Sequence, residues 1–206
     1  MSGPASRVRM KPDSRREQLL ELGVRLLSTR PLEELSIEVL AEQAGVSRGL
    51  LYHYFGSKQG FQIAVCRRAA DDLIERTAPV GEGEPLERLA RSLDAYVDYV
   101  VSNFAGYTSL VSGAATGNPT LRRIYEEARS ALTDRIFDEA DQLGGSGVLD
   151  AFTIEDTPAV RLMVRGWSAM VEDVVISWVR DDRRVSKEDL LVMLAAALPG
   201  VLSGTP

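Results

Sequence analysis

Apolar positions recur at helical spacing along almost the whole chain. "DSRREQLLELGVRLLST" sets Leu19, Leu20, Leu22, Leu26 and Leu27 near an i, i+3/i+4, i+7 stripe, the mark of one buried helix face. Asp13 or Ser14, just after Pro12, suits the cap of that helix. "PLEEL" reads as a connector. "SIEVLAEQAG" predicts a short second helix, capped by Ser36 and stopped by Gly45. Ser47 caps a third helix over 48–54, and Ser57 a fourth that runs to about residue 77. Further helices are expected near 86–103, 106–116, 119–143, 157–181 and 186–201, with "TGNP" and "LGGSG" as turn signals between them. Strand alternation between hairpin turns is absent. The expected fold is all-α, with about nine helices.

The pattern divides the chain. Residues 1–12 read as a flexible basic arm, 13–60 as a small helical unit, and 61–206 as a larger helical body. "PVGEGEP", 79–85, reads as a flexible joint and the best candidate along the chain for a boundary between an N-terminal unit and a larger body. Charge sharpens this division. The chain of 206 residues carries a net −6, but residues 1–68 hold eleven Lys/Arg against seven Asp/Glu, whereas 69–206 hold thirteen against twenty-three. A basic end on an acidic body points toward nucleic acid.

Composition excludes several classes. At 45% apolar and 26% charged the chain is ordinary globular protein. No run is long and apolar enough to span a membrane, and the polar, basic start does not read as a secretory leader, so a cytoplasmic setting is expected. The single cysteine, Cys66, forms no internal disulfide and reads as a buried structural thiol. The single histidine, His53, has no second ligand set for a metal. With no nucleophile–base pair and no phosphate-cradling glycine loop, an enzyme is not expected, nor a cofactor.

"AGVSRGLLYHYFGSKQGF" carries the candidate chemistry. Helix, three residues "GVS", then a short helix is helix-turn-helix spacing, with Gly45 permitting the turn. Leu51 and Phe55, four apart, anchor the short helix inward. That leaves Arg48, Gly49, Leu50, Tyr52, His53 and Tyr54 for a major groove and its flanking phosphates. Tyr54 is also suited to pack half-buried against the first helix. Lys58 lies at a helix N-terminus, where ammonium and helix dipole both attract phosphate. Arg7, Arg9 and Lys11 form an arm of the kind that enters minor grooves, or simply a disordered tail.

"SIEVLAEQAGVSRGLLYHYFGSK" closely resembles the DNA-binding signature of the tetracycline-repressor (TetR) family. The resemblance rests on Ser36, Ala41, Ala44-Gly45-Val46-Ser47, Gly49, Leu51-Tyr52, Phe55, Ser57 and Lys58. Pro31 and Phe61 depart from it, standing where glycine and leucine are common. The resemblance implies a homodimeric transcriptional regulator, usually a repressor, on a palindromic double-stranded operator. By position, Arg48 and Leu50 are implied as base readers, and Tyr52, His53, Tyr54 and Lys58 as phosphate or groove-edge contacts. Ser36 and Ser47 would add contacts through helix N-termini. It further implies a small-molecule effector within the body, for which Tyr96, Tyr99, Val100, Phe104, Tyr107, Leu110, Met163, Trp167 and Met170 are candidates. Arg122, Arg123 and Arg129 are suited to an acidic effector, though Glu126 and Glu127 nearby favour ordinary surface pairs. The last two helices are implied as the dimer interface, through Val171, Val174, Val175 and Trp178 facing Met193, Ala196, Ala197 and Val201. The competing reading is a helical partner-binding adaptor or ligand-binding protein with little DNA specificity.

Overall fold

The computed structural model describes residues 12–78, 83–142 and 148–203. Among these, ten α-helical segments follow one another, nine of them eight residues or longer, with no strand. They are α1 (Pro12–Thr29), α2 (Ile37–Ala44), α3 (Arg48–Phe55), α4 (Lys58–Arg76), α5 (Pro85–Ser102), α6 (Phe104–Ala115), α7 (Pro119–Gln142), α8 (Val148–Ala151), α9 (Pro158–Arg180) and α10 (Lys187–Leu202). The all-α expectation holds.

The differences have local causes. α1 opens at Pro12 rather than after a cap at Asp13 or Ser14, since proline lacks only an N–H that a first turn leaves unbonded. The "PLEEL" connector holds a 3-10 turn, Leu32–Glu34, pinned inward by buried Leu32. α8 is four residues long, too short to show a period. The basic arm, most of the 79–85 joint and the "LGGSG" turn lie outside the described residues.

The serine caps form as the sequence dictates. Ser36, Ser47 and Ser57 each accept from a backbone N–H three residues on, at 3.2, 3.3 and 2.9 Å. Ser186 accepts from the Asp189 N–H at 3.1 Å and donates to the Asp189 carboxylate at 2.7 Å, a variant of the capping box.

Two apolar clusters form the interior. One gathers α1 to α4 around Leu35, Ile37, Leu40, Leu51 and Phe61, and is completed by Leu121, Ile124 and Ala128 of α7. The other gathers Leu73 of α4 with α5, α7, α9 and α10, around Val97, Val100, Val164, Val175 and Leu198. The division falls inside α4, between Ala70 and Leu73. α6 meets α1 at Gly106, where an added Cβ would lie 2.5 Å from Leu27 Cγ and 2.7 Å from the Leu27 carbonyl oxygen. Only glycine permits so close an approach of two helices.

Candidate nucleic-acid interface and internal cavity

The first site is built on α2 and α3. Gly45 ends α2 in the left-handed region, at φ 61° and ψ 38°. The following N–H, of Val46, returns to the Ala41 carbonyl at 3.1 Å and closes the turn. Leu51 is fully buried and Phe55 nearly so. Phe55 sits 5.2 Å from the Phe61 ring, with the Arg16 guanidinium 5.6 Å from its centroid. These inward anchors fix the outward face of α3. Arg48, Gly49, Tyr52 and His53 are exposed, Tyr52 at 45%, while Leu50 and Tyr54 are half-buried. Tyr54 packs against the N-terminal cluster and meets His53 edge-on at 5.6 Å.

Lys58 is exposed at the start of α4, but its Nζ donates to the Glu33 carbonyl at 3.0 Å. No local spacing rule reports that bond, because it runs to the 3-10 turn of the "PLEEL" connector, 25 residues earlier. A Gln62 amide beside it donates to the carbonyls of Leu32 and Leu35 at 2.7 and 3.0 Å, so α4 holds this turn from two sides.

The second site is a cavity of about 140 Å³ among α1, α4, α5, α6, α7 and α9. Of the effector candidates, Tyr96, Tyr99, Tyr107, Leu110 and Trp167 line it. Val100 is fully buried in core, and Phe104 and Met170 pack against that core without reaching the cavity. Met163 is 38% exposed on the outside of α9, displaced because the helical turn puts Val164 and Trp167 on the inner face. Val171, expected at a dimer face, lines the cavity, and Val175 is fully buried beside it. Both are buried in the chain's own core.

A hydrogen-bonded chain crosses the cavity wall. The Tyr107 hydroxyl donates to Glu172 Oε2 at 2.8 Å and the Tyr125 hydroxyl to Oε1 at 2.8 Å. Tyr107 spends its one proton on Glu172, so in the 2.7 Å contact between Tyr96 and Tyr107 the proton comes from Tyr96. Arg129 stands behind Tyr125, donating to that hydroxyl at 3.4 Å, to Ser168 Oγ at 3.3 Å and to the Arg165 carbonyl at 2.8 Å. Burial pushes the hydroxyl pKa values of Tyr96, Tyr107 and Tyr125 upward, Tyr125 to about 12, and the Glu172 charge pushes the same way. The tyrosines are therefore neutral donors at physiological pH.

Glu172, Tyr125 and Ser92 were missed in the sequence. Glu172 stands in "SAMVEDVV", an acidic interruption of an apolar stripe, which was the available signal. Arg122 and Arg123 stay outside: Arg122 donates to the Ala114 carbonyl at 3.4 Å, and Arg123 pairs with Glu127 at 3.9 Å across one turn. Cys66 is 1% exposed beside the cavity, its thiol pushed up to about 12 chiefly by burial.

Two sequence families match this arrangement. Bacterial regulatory proteins, tetR family, match residues 19–65, and the tetracyclin repressor-like C-terminal domain matches residues 85–198. The chain belongs to the TetR family. A TetR-family transcriptional regulator from Streptomyces coelicolor superposes with a TM-score of 0.78 at 30% identity, covering 94% of this chain and 82% of that one. The transcriptional activator FasR of Mycolicibacterium smegmatis is 26% identical over 96% of this chain and 87% of its own length. The repressor KstR2 of the same organism is 35% identical, over 38% of this chain and 40% of its own. The chain is thus a DNA-binding transcriptional regulator, and its relatives are regulators rather than enzymes. None of the described helices is long and apolar enough to cross a membrane.

Proposed function

We propose that this TetR-family regulator binds a palindromic operator as a homodimer in the cytoplasm, acts as a repressor, and is released by a small, largely apolar effector held in the cavity. The observation that carries the reading is the shared wall. Leu27 of α1 and Cys66, Ala69 and Ala70 of α4 line the same cavity as Tyr107, Trp167 and Glu172 of the body. A ligand that spreads this wall moves α4, and with it the helix-turn-helix joined to its N-terminus. On a two-fold operator that changes the spacing of two recognition helices, which bind only about 34 Å or a multiple apart.

A partner face is available on α9 and α10. Leu162 and Val192 are each 68% exposed, Met193 52%, and Ala196 is exposed beside them. Apolar side chains this open on two packed helices favour a second copy of the same patch. Of the residues expected there, Val174 and Ala197 pack against the chain's own core. The Trp178 indole N–H donates to the Val185 carbonyl at 2.8 Å.

The exposed Arg48-Gly49 and Tyr52-His53 pairs favour DNA over the adaptor reading. The test is a mobility shift with palindromic fragments from the protein's own promoter region, run across salt concentrations, with sedimentation to fix the stoichiometry. Saturable binding of two chains per palindrome supports the proposal, and salt-independent or absent binding refutes it. Since one full-length relative is an activator, a run-off transcription assay on the bound fragment decides the sign: activation overturns repression.

A further inference from the structure

The identity of the effector is written in the wall around Glu172, and this reading rests on the effector proposal above. Glu172 lines the cavity and accepts from two tyrosines, yet forms no ion pair with any basic side chain among the described residues. Arg129 reaches it only through the Tyr125 hydroxyl. Two tyrosine donors leave the carboxylate with spare acceptor capacity. Glu172 is half-buried, and drawing a carboxylate out of water is costly unless it is paired.

The rings around it supply the second half of the argument. Tyr96, Tyr107, Tyr125 and Trp167 line the same cavity, with the Tyr96 and Tyr107 rings edge-on at 6.1 Å. The Trp167 N–H is taken up by the Leu194 carbonyl at 3.1 Å, so this ring offers the ligand no donor. The Glu172 carboxylate attracts a cation by direct charge, and a ring face within about 6 Å of that cation would add its quadrupole. An anion would meet the Glu172 charge in a medium that screens it poorly. Leu73, Leu89, Leu93, Leu132 and Ile136 make the aliphatic part of the wall; Arg129 and Arg135 also line it, with their guanidiniums bonded to the Arg165 and Ile74 carbonyls. One further polar atom there, Ser92 Oγ, is buried without a hydrogen-bond partner. A wall with an unpaired carboxylate and an unmet hydroxyl is built to be occupied rather than closed by packing.

We propose that the ligand of this cavity is a primary or secondary alkylamine in its protonated form, with its ammonium on Glu172 among the tyrosines and its apolar chain along the aliphatic wall. At about 30 Å³ per water the volume, about 140 Å³, holds roughly five waters, so a longer alkyl chain enters only by spreading the wall that α4 shares.

The experiment titrates the full-length protein by calorimetry with n-decylammonium, n-decanol and n-decanoate, each below its aggregation threshold. Decylammonium is expected to bind one per chain, roughly ten-fold or more tighter than decanol, with decanoate weakest, as a charge-assisted hydrogen bond requires. Glu172→Gln is expected to bring decylammonium and decanol to near parity. Equal or tighter binding of decanoate, or no saturable amine binding, overturns the proposal. So does an amine preference that survives Glu172→Gln. The wild-type series decides the matter by itself if that variant fails to fold. Operator affinity is measured in parallel: tight amine binding that leaves DNA binding untouched supports this ligand class and overturns the release reading.

Discussion

The backbone N–H of Leu32 donates to the Ser109 hydroxyl at 3.1 Å, across 77 residues of sequence. Ser109 is on α6, two residues after Tyr107, whose own hydroxyl is bonded to Glu172. One short helix therefore touches the cavity's charged wall on one side and the turn before the helix-turn-helix on the other. Ser109→Ala leaves that N–H partnerless and uncouples the two ends. The expected result is a folded protein that binds ligand normally by calorimetry but whose operator release shifts to higher ligand concentration. An unchanged release curve would remove α6 from the transmission route.

Arg48 stands exposed in the first turn of α3, where a recognition helix meets base edges. Arg48→Ala should cost about 1–3 kcal/mol on the best-bound duplex and flatten discrimination at one base position. Anisotropy titrations against single-base variants of that duplex check this. Equal weakening on every sequence would reduce Arg48 to a phosphate contact.

As a phosphate contact, Lys58 would exchange the Glu33 carbonyl for a phosphate when DNA arrives. Lys58→Ala should weaken all duplexes alike and lower the salt slope by roughly one unit. Tyr52→Phe removes a neutral donor and should leave the slope where it was. A plot of log affinity against log salt for the three proteins separates these outcomes.

Gly106 lies against the Leu27 carbonyl oxygen, a backbone atom that cannot rotate away. Gly106→Ala should destabilise the fold by about 1–3 kcal/mol, the usual cost of overpacking, despite alanine's better helix propensity. Thermal or urea melts read it directly. A variant more stable than wild type would show that α6 and α1 separate cheaply.

The buried thiol gives a sign for alkaline stability. The folded Cys66 holds its proton to about pH 12, whereas an unfolded cysteine releases its own near pH 8.5. The folded state therefore binds more protons between those values. Its contribution is intact below about pH 8.5 and declines as pH rises toward 12. Wild type should lose stability over that window faster than Cys66→Ala, measured by urea melts at successive pH values. Parallel curves would exclude the thiol as the cause.

The helix-turn-helix could be read from the sequence because its determinants are local: serine caps, Gly45 in the left-handed region, and Leu51 and Phe55 one turn apart. The cavity could be read only in part. Tyr96, Tyr107 and Trp167 betrayed it by size, but aromatic residues at helical spacing look alike whether they line a cavity or fill a core, so Val100, Phe104 and Met170 were drawn in with them. Met163 stands outside and Val171 lines the cavity because a wide apolar stripe does not say which of its edges faces inward. Glu172 was hidden for another reason: its partners come from α6 and α7, 65 and 47 residues away. No spacing rule within one helix reports them.

Leu121, Ile124 and Ala128 of α7 sit in the same cluster as Leu51 and Phe55 of α3. For anyone wishing to transplant the reading head onto another sensor, the unit to exchange is therefore not a contiguous segment. A chimera joined after α4 would inherit a floor for its DNA-binding half from a foreign α7, and the new α7 would have to fit it. Recombination between such regulators is constrained at this floor.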